Sequence, residues 1–172
     1  MKPQPQLYVG IDPGLGGAVA VIDQRGNVIS VHDTPTLTVK RAKGHKRVYL
    51  EPEMVNILEA VKTTGDVRIV GIERQQAMPA QGGTSMFSIG YGYGLWIMAC
   101  TALRLPYQIV EASTWKREVG IPKGSSKGES IRAGLRLFPT APLARKKDDG
   151  RADAILIAEA VRRKFDPVRP SA

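Results

Sequence analysis

Leu7–Ile22, LYVGIDPGLGGAVAVI, is the stretch whose reading decides the fold. LYVGI is an apolar strand rich in β-branched and aromatic residues, DPGLGG is a tight Gly/Pro turn, and AVAVI is a second apolar strand. Arg25-Gly26-Asn27 then turns the chain into VISVHD, so three strands follow one another as an antiparallel meander. Asp12 comes directly after the buried LYVGI run, where a carboxylate with no neutralising partner is costly.

Working outward, Thr34–Tyr49 is polar and basic (KRAKGHKRVY) with no apolar period, and reads as a long exposed loop. Leu50-Glu51-Pro52-Glu53 opens a helix that carries Met54, Ile57, Leu58 and Val61 on one face. Val67–Glu73, VRIVGIE, is a buried strand ending on a second acid. A Gly-rich loop follows, then a helix over about Ser85–Leu103 in which Gly90, Gly92 and Gly94 imply close approach of another backbone. Tyr107–Val110 is a strand, Ser113 or Thr114 caps the helical TWKREV segment, Ser125 or Ser126 opens a helix reaching Leu137, and the last helix covers about Gly150–Lys164. The order βββαβαβαα describes an α/β domain over residues 7–165: a mixed five-stranded sheet, antiparallel first and then with parallel crossovers, flanked by helices. That order resembles the RNase H-like topology. Residues 1–6 read as a disordered arm and 166–172 as a tail.

Length and composition fit one soluble domain of 172 residues, with 42% hydrophobic residues and no apolar run long enough to span a bilayer. The N-terminus lacks the apolar segment of a signal peptide, which points to the cytoplasm or a similar compartment. Cys100, the single cysteine, excludes an internal disulfide and reads as a core residue. A net charge of +9, from 25 basic and 16 acidic residues, makes a polyanion the first candidate partner, with incidental basicity as the alternative.

The acids decide between those two. Asp12 ends the first strand, Glu73 ends the fourth, and Asp153 lies near the start of the last helix. Neighbouring strand ends converge in an open sheet, and a helix docked beside them can present a third acid. Like charges brought together repel unless a cation intervenes. Carboxylates suit Mg²⁺ or Mn²⁺, whereas His32 and His45 are too few and too distant for a zinc site. Clustered carboxylates without a Ser or His nucleophile fit phosphodiester hydrolysis assisted by two ions per site. Each acid also has a plainer reading, Asp12 as a turn residue and Asp153 as a partner of the helix dipole. Lys116 and Lys127 flank the VGIPKG turn and could reach a phosphate, or could be solvated helix charges.

Four motifs carry a family resemblance: GIDPGLGGAVAV (Gly10–Val21), VGIERQQAMP (Val70–Pro79), WKREVGIPKGSSKGESI (Trp115–Ile131) and KDDGRADAILIAEA (Lys147–Ala160). In this order they resemble the RuvC-type Holliday junction resolvases, and AMPAQGGTSMFSIGYGYG resembles their phage, bacterial and chloroplast branch. The resemblance implies a Mg²⁺-dependent endonuclease in which Asp12, Glu73 and Asp153 are ligands and Lys116 and Lys127 stabilise the phosphate. It implies no small-molecule cofactor and no membrane partner. The better-known bacterial branch has its fourth acid three residues before the helix acid, and this chain has Gly150 there. Asp148 is the expected fourth ligand by the KKDxGRADA pattern and Asp149, four positions before Asp153, the alternative by helical spacing; Gly150 is expected to break the helix between Asp149 and Asp153. The resemblance further implies a homodimer making paired cuts in a four-way DNA junction, with the Gly-rich helix as the dimer face; packing of those glycines on the chain's own sheet is the alternative. Gln75, Gln76, Met78, Pro79 and Gln81 are expected near the junction bases, with Lys116, Lys123 and Lys127 on the backbone. Trp115 and Tyr91 read as packing residues.

Three competing readings share parts of this pattern. Another RNase H-like nuclease would use the same acids on an RNA–DNA hybrid or on branched DNA. A phosphate cradle at DPGLGG, as in actin-like kinases, would call for a far longer chain. A non-catalytic junction-binding module would leave the clustered acids without a use.

Overall fold

A computed structural model describes residues 4–76, 82–126 and 128–166. Twelve elements are present among them: β1 (Gln6–Asp12), β2 (Ala18–Asp23), β3 (Val28–Asp33), β4 (Thr36–Lys40), β5 (His45–Tyr49), α1 (Glu51–Thr64), β6 (Asp66–Glu73), α2 (Gly83–Ala102), β7 (Tyr107–Val110), α3 (Ala112–Glu118), α4 (Glu129–Leu137) and α5 (Asp149–Phe165). The main sheet has the order β3-β2-β1-β6-β7. β1 pairs antiparallel with β2 and parallel with β6; β2–β3 is antiparallel and β6–β7 parallel. This is the expected mixed sheet.

Both faces of the sheet are covered, and the alternation of β1 shows how. Leu7, Val9 and Ile11 point into a core shared with Met54, Leu58 and Trp96 of α1 and α2. Tyr8 points the other way, into the core built around α5. On that side Gly10 is the next inward position, and a Cβ there would run into the Ala154 carbonyl and the Ala158 nitrogen. The helix lies directly on the strand backbone. Every residue of α5 from Ala154 to Arg162 is buried, because the sheet lies on one side of it and α3 and α4 on the other. The end of α5 that bears acids is thereby held at the β1–β2 turn.

The segment expected as a loop over 34–49 is instead a β-hairpin, β4–β5, with Thr36 opposite Tyr49 and Lys40 opposite His45. Its strands stand outside the main sheet and Tyr49 alone among their residues is buried, so they bury too little to mark an inward face in the sequence. One end is anchored: Arg47 Nη2 donates to the Leu15 carbonyl at 2.6 Å, and Tyr49 is buried against Gly92, where any side chain would strike its ring. Gly92 therefore packs within the chain, whereas Gly90 and Gly94 have open space beside them.

Smaller differences lie at helix ends. Glu111 precedes α3, so Ser113 and Thr114 are already inside its first turn. α4 begins at Glu129 after a left-handed Gly128; Ser125 belongs to the preceding turn, its hydroxyl donating to the Pro122 carbonyl at 2.6 Å. At the N-terminus, Pro5 already accepts a hydrogen bond from the Asp66 amide. Met1–Pro3 of the expected arm and residues 167–172 of the expected tail lie outside the described residues. Among the described residues no helix is long and apolar enough to cross a membrane.

Candidate active site

Asp12 and Glu73 are the last residues of adjacent parallel strands, and Asp153 sits one turn into α5. What brings the helix to them is Gly150. Contrary to the expectation from its propensity, it does not break α5. It lies in the first turn, where a Cβ would overlap the Gly16 carbonyl of the β1–β2 turn. A side chain at this position, an acid included, would push the helix off the turn.

Asp12 and Asp153 both sense the charge of Glu73. Burial raises Asp12 first, and the charges of Glu73 and Asp153 raise it further; against the Gly14 amide and Lys116, its pKa is pushed up to about 7. Asp153 is pushed up to about 6, chiefly by burial, with the charges of Glu73 and Asp149 raising it and the Ser130 hydroxyl and Lys116 opposing. Lys116 is thus a cation set among these acids. Asp153 Oδ1 is buried with no hydrogen-bond partner among the described residues, an arrangement that favours a cation in the site. Among the described residues no three His, Cys, Asp or Glu side chains are drawn in as closely as ligands of a single ion. The donor set, carboxylates alone, fits a hard divalent ion.

Glu73 is held from two sides. Trp115 Nε1 donates to Oε1 at 3.0 Å and Gln75 Nε2 to Oε2 at 3.2 Å. Gln75, expected at DNA bases, is turned toward this carboxylate, whereas Gln76 is exposed. Trp115, read as packing, does pack, with no exposed surface, and also makes this polar contact.

Asp148 and Asp149 face different surroundings. Burial would raise Asp148, but hydrogen bonds from the Arg145 backbone and side chain, both at 2.7 Å, with the charges of Arg145 and Arg151, hold its pKa below the ordinary carboxylate range. Arg151 is also paired with Asp33, at 2.5 and 2.8 Å. Asp149 instead lines a cleft of about 350 Å³ with Asp153, Lys116 and Ser130. That cleft shares Lys116, Ser125, Ser126, Glu129 and Ser130 with one of about 790 Å³ that also holds Arg117 and Lys123, so a basic groove leads away from the acids. Lys127, Met78, Pro79 and Gln81 lie outside the described residues.

Cys100 is buried, and burial pushes its thiol up to about 12, which leaves it no nucleophilic role.

No family model matches the chain, and no curated protein matches it significantly by sequence. Solved structures do. The chain is similar to Thermus thermophilus RuvC in complex with a Holliday junction substrate, with TM-score 0.60, 12% identity, and coverage of 94% of this chain and 96% of that one. A second Thermus thermophilus RuvC structure gives TM-score 0.58 at 13% identity, covering 92% of this chain and 95% of that one. Over nearly its whole length, then, the chain has the RNase H-like fold in the form that RuvC has.

Proposed function

We propose that the chain is a metal-dependent endonuclease that resolves four-way DNA junctions by paired, symmetric cuts. The observation that carries this reading is the placement of Asp12, Glu73 and Asp153 at one end of the sheet, where the Glu73 charge raises both aspartates and Lys116 opposes it. A fold shared with a RuvC solved on a Holliday junction substrate supports the choice of DNA. Asp12, Glu73 and Asp153 would hold Mg²⁺ or Mn²⁺, with Asp149 as the fourth acid, since it lines one cleft with Asp153 while Asp148 is already paired with Arg145. Divalent ions bound there supply an activated water and stabilise the leaving oxygen. Lys116 places positive charge beside the acids, where a scissile phosphate would lie, and the groove bearing Arg117 and Lys123 takes the adjoining backbone.

Paired cuts need two sites related by a two-fold axis. The outer side of α2 exposes Phe87, Tyr91 and Met98 beside the open Gly90 and Gly94, and this is the seam we assign to a second copy. Dimer mass in light scattering at micromolar concentration checks it.

Cleavage of a labelled synthetic four-way junction, beside linear duplex, flap and RNA–DNA hybrid, tests the function. Paired nicks at the junction with Mg²⁺ or Mn²⁺ that vanish in EDTA are the expected result. Cutting of the hybrid alone would keep the metal site and overturn the substrate. Junction binding without cutting would overturn the enzyme.

A further inference from the structure

The two tryptophans of this chain are both fully buried, but their indole nitrogens differ. Trp96 Nε1 has no hydrogen-bond partner among the described residues, while Trp115 Nε1 donates to Glu73 Oε1 at 3.0 Å. Trp115 reaches Glu73 because β7 is the sheet neighbour of β6, with Glu73 opposite Val110, and α3 begins just two residues later. Its ring is packed on all sides, so the donor has little freedom to move. Lys116 Nζ lies over the same ring, 5.1 Å from its centroid and within cation–π range. One rigid side chain therefore touches an acid of the site at its edge and the lysine of the site at its face.

We infer that Trp115 is a positioning residue: it orients the Glu73 carboxylate for a divalent cation and sets Lys116 beside it. This rests on the metal-dependent reading above. With Trp115 on Oε1 and Gln75 on Oε2, each oxygen of Glu73 accepts one hydrogen bond and keeps a further lone pair for the ion. An outer hydrogen bond of this kind fixes which lone pairs face the cation, and its removal weakens metal affinity by about 10–100-fold.

The test uses the full chain labelled with ¹⁵N, whose two indole N–H signals are followed as Mg²⁺ is added, with calorimetry of Mg²⁺ binding in parallel. The Trp115 signal, assigned by its loss in Trp115→Phe, is expected to shift with the calorimetric isotherm while that of Trp96 stays still. Trp115→Phe is expected to bind Mn²⁺ about 10–100-fold more weakly and to regain most of its cleavage rate at saturating Mn²⁺. Mg²⁺ binding by calorimetry with no shift of either indole, or unchanged Mn²⁺ affinity in a folded Trp115→Phe, overturns the positioning role and leaves the nuclease reading standing. Absence of any divalent-ion binding to the unaltered chain overturns both. If Trp115→Phe does not fold, the Trp115 signal is the one retained in Trp96→Phe, and the titration of the unaltered chain decides alone.

Discussion

Asp148 and Asp149 are neighbours in sequence and belong to two groups of acids with opposite surroundings. Asp148 and Asp33 are neutralised by Arg145 and Arg151, and both have lowered pKa values. Asp12 and Asp153, which share their site with Glu73 and the adjacent Asp149, are raised to about 7 and about 6. The first group completes its own charge balance and ties the start of α5 to β3. The second leaves a deficit of positive charge that a divalent ion would fill. Which acids are balanced within the chain and which are not is thus visible in their partners.

Removing an acid from the unbalanced group gives the largest effect. Asp12→Asn is expected to lower Mg²⁺-dependent junction cleavage by at least about a thousand-fold, since a ligand and its charge disappear together. The same change should stabilise the protein in EDTA at pH 8 by about 1–2 kcal/mol, allowing for the solvent screening of a half-buried carboxylate. The sign follows from proton uptake. A raised folded-state pKa means that the native chain binds more protons than the unfolded one between about pH 4 and 7, so stability in EDTA falls as pH rises through that window. Urea unfolding across pH, with and without Mg²⁺, measures it, and a flat profile would show the acids to be balanced after all.

Gly150→Asp places an acid at the spacing of the better-known bacterial pattern. Because any side chain there meets the Gly16 backbone, we expect it to destabilise the chain by about 3 kcal/mol, visible as a lowered thermal midpoint, and to lower junction cleavage rather than raise it.

Crossing the two neighbours sharpens the comparison further. Asp149→Asn should lower cleavage about 10–100-fold and leave urea stability within about 0.5 kcal/mol. Asp148→Asn should do the reverse, lowering the urea midpoint because the buried Asp148 carboxylate no longer accepts from Arg145, with little change in the turnover of the folded protein. Asp148 has a lowered pKa, so its stabilising share is present above the unfolded-state pKa and disappears as pH falls. An activity loss confined to Asp148→Asn would interchange the two roles.

The smallest effect concerns cations. Arg145 and Arg151 are paired, whereas Lys40, Arg41, Lys43 and Lys46 of the hairpin have no acid partner among the described residues. Neutralising those four should weaken junction binding and lower its salt slope by about 0.9 for each phosphate that they neutralise in the unaltered protein, with cleavage at saturating protein unchanged.

Much of the fold was legible because it is written in local patterns. The alternation of LYVGI and AVAVI, the turn residues between them and the apolar face of α1 each act over a few positions. The ends of β1 and β6 were legible with their acids, since a carboxylate closing a buried strand stands out. The hairpin was not, because Tyr49 alone in its two strands is buried and their charges hide the alternation of Leu37, Val39 and Val48. Gly150 looked like a helix breaker because propensity describes an isolated helix, and the space beside it belongs to a turn more than a hundred residues earlier.

By itself, the sequence determined the strands of the main sheet and their mixed pairing, the long helices and three acids at element ends, all of which follow from periodicity and the cost of burying charge. Only the tertiary structure decided which acids are balanced by arginine, that Asp149 lies with Asp153 while Asp148 turns away, and that an indole forty-two positions along the chain holds Glu73. Those outcomes depend on distances between segments remote in sequence, and such distances are set by how closely α5, α3 and the β1–β2 turn pack, which no local pattern encodes.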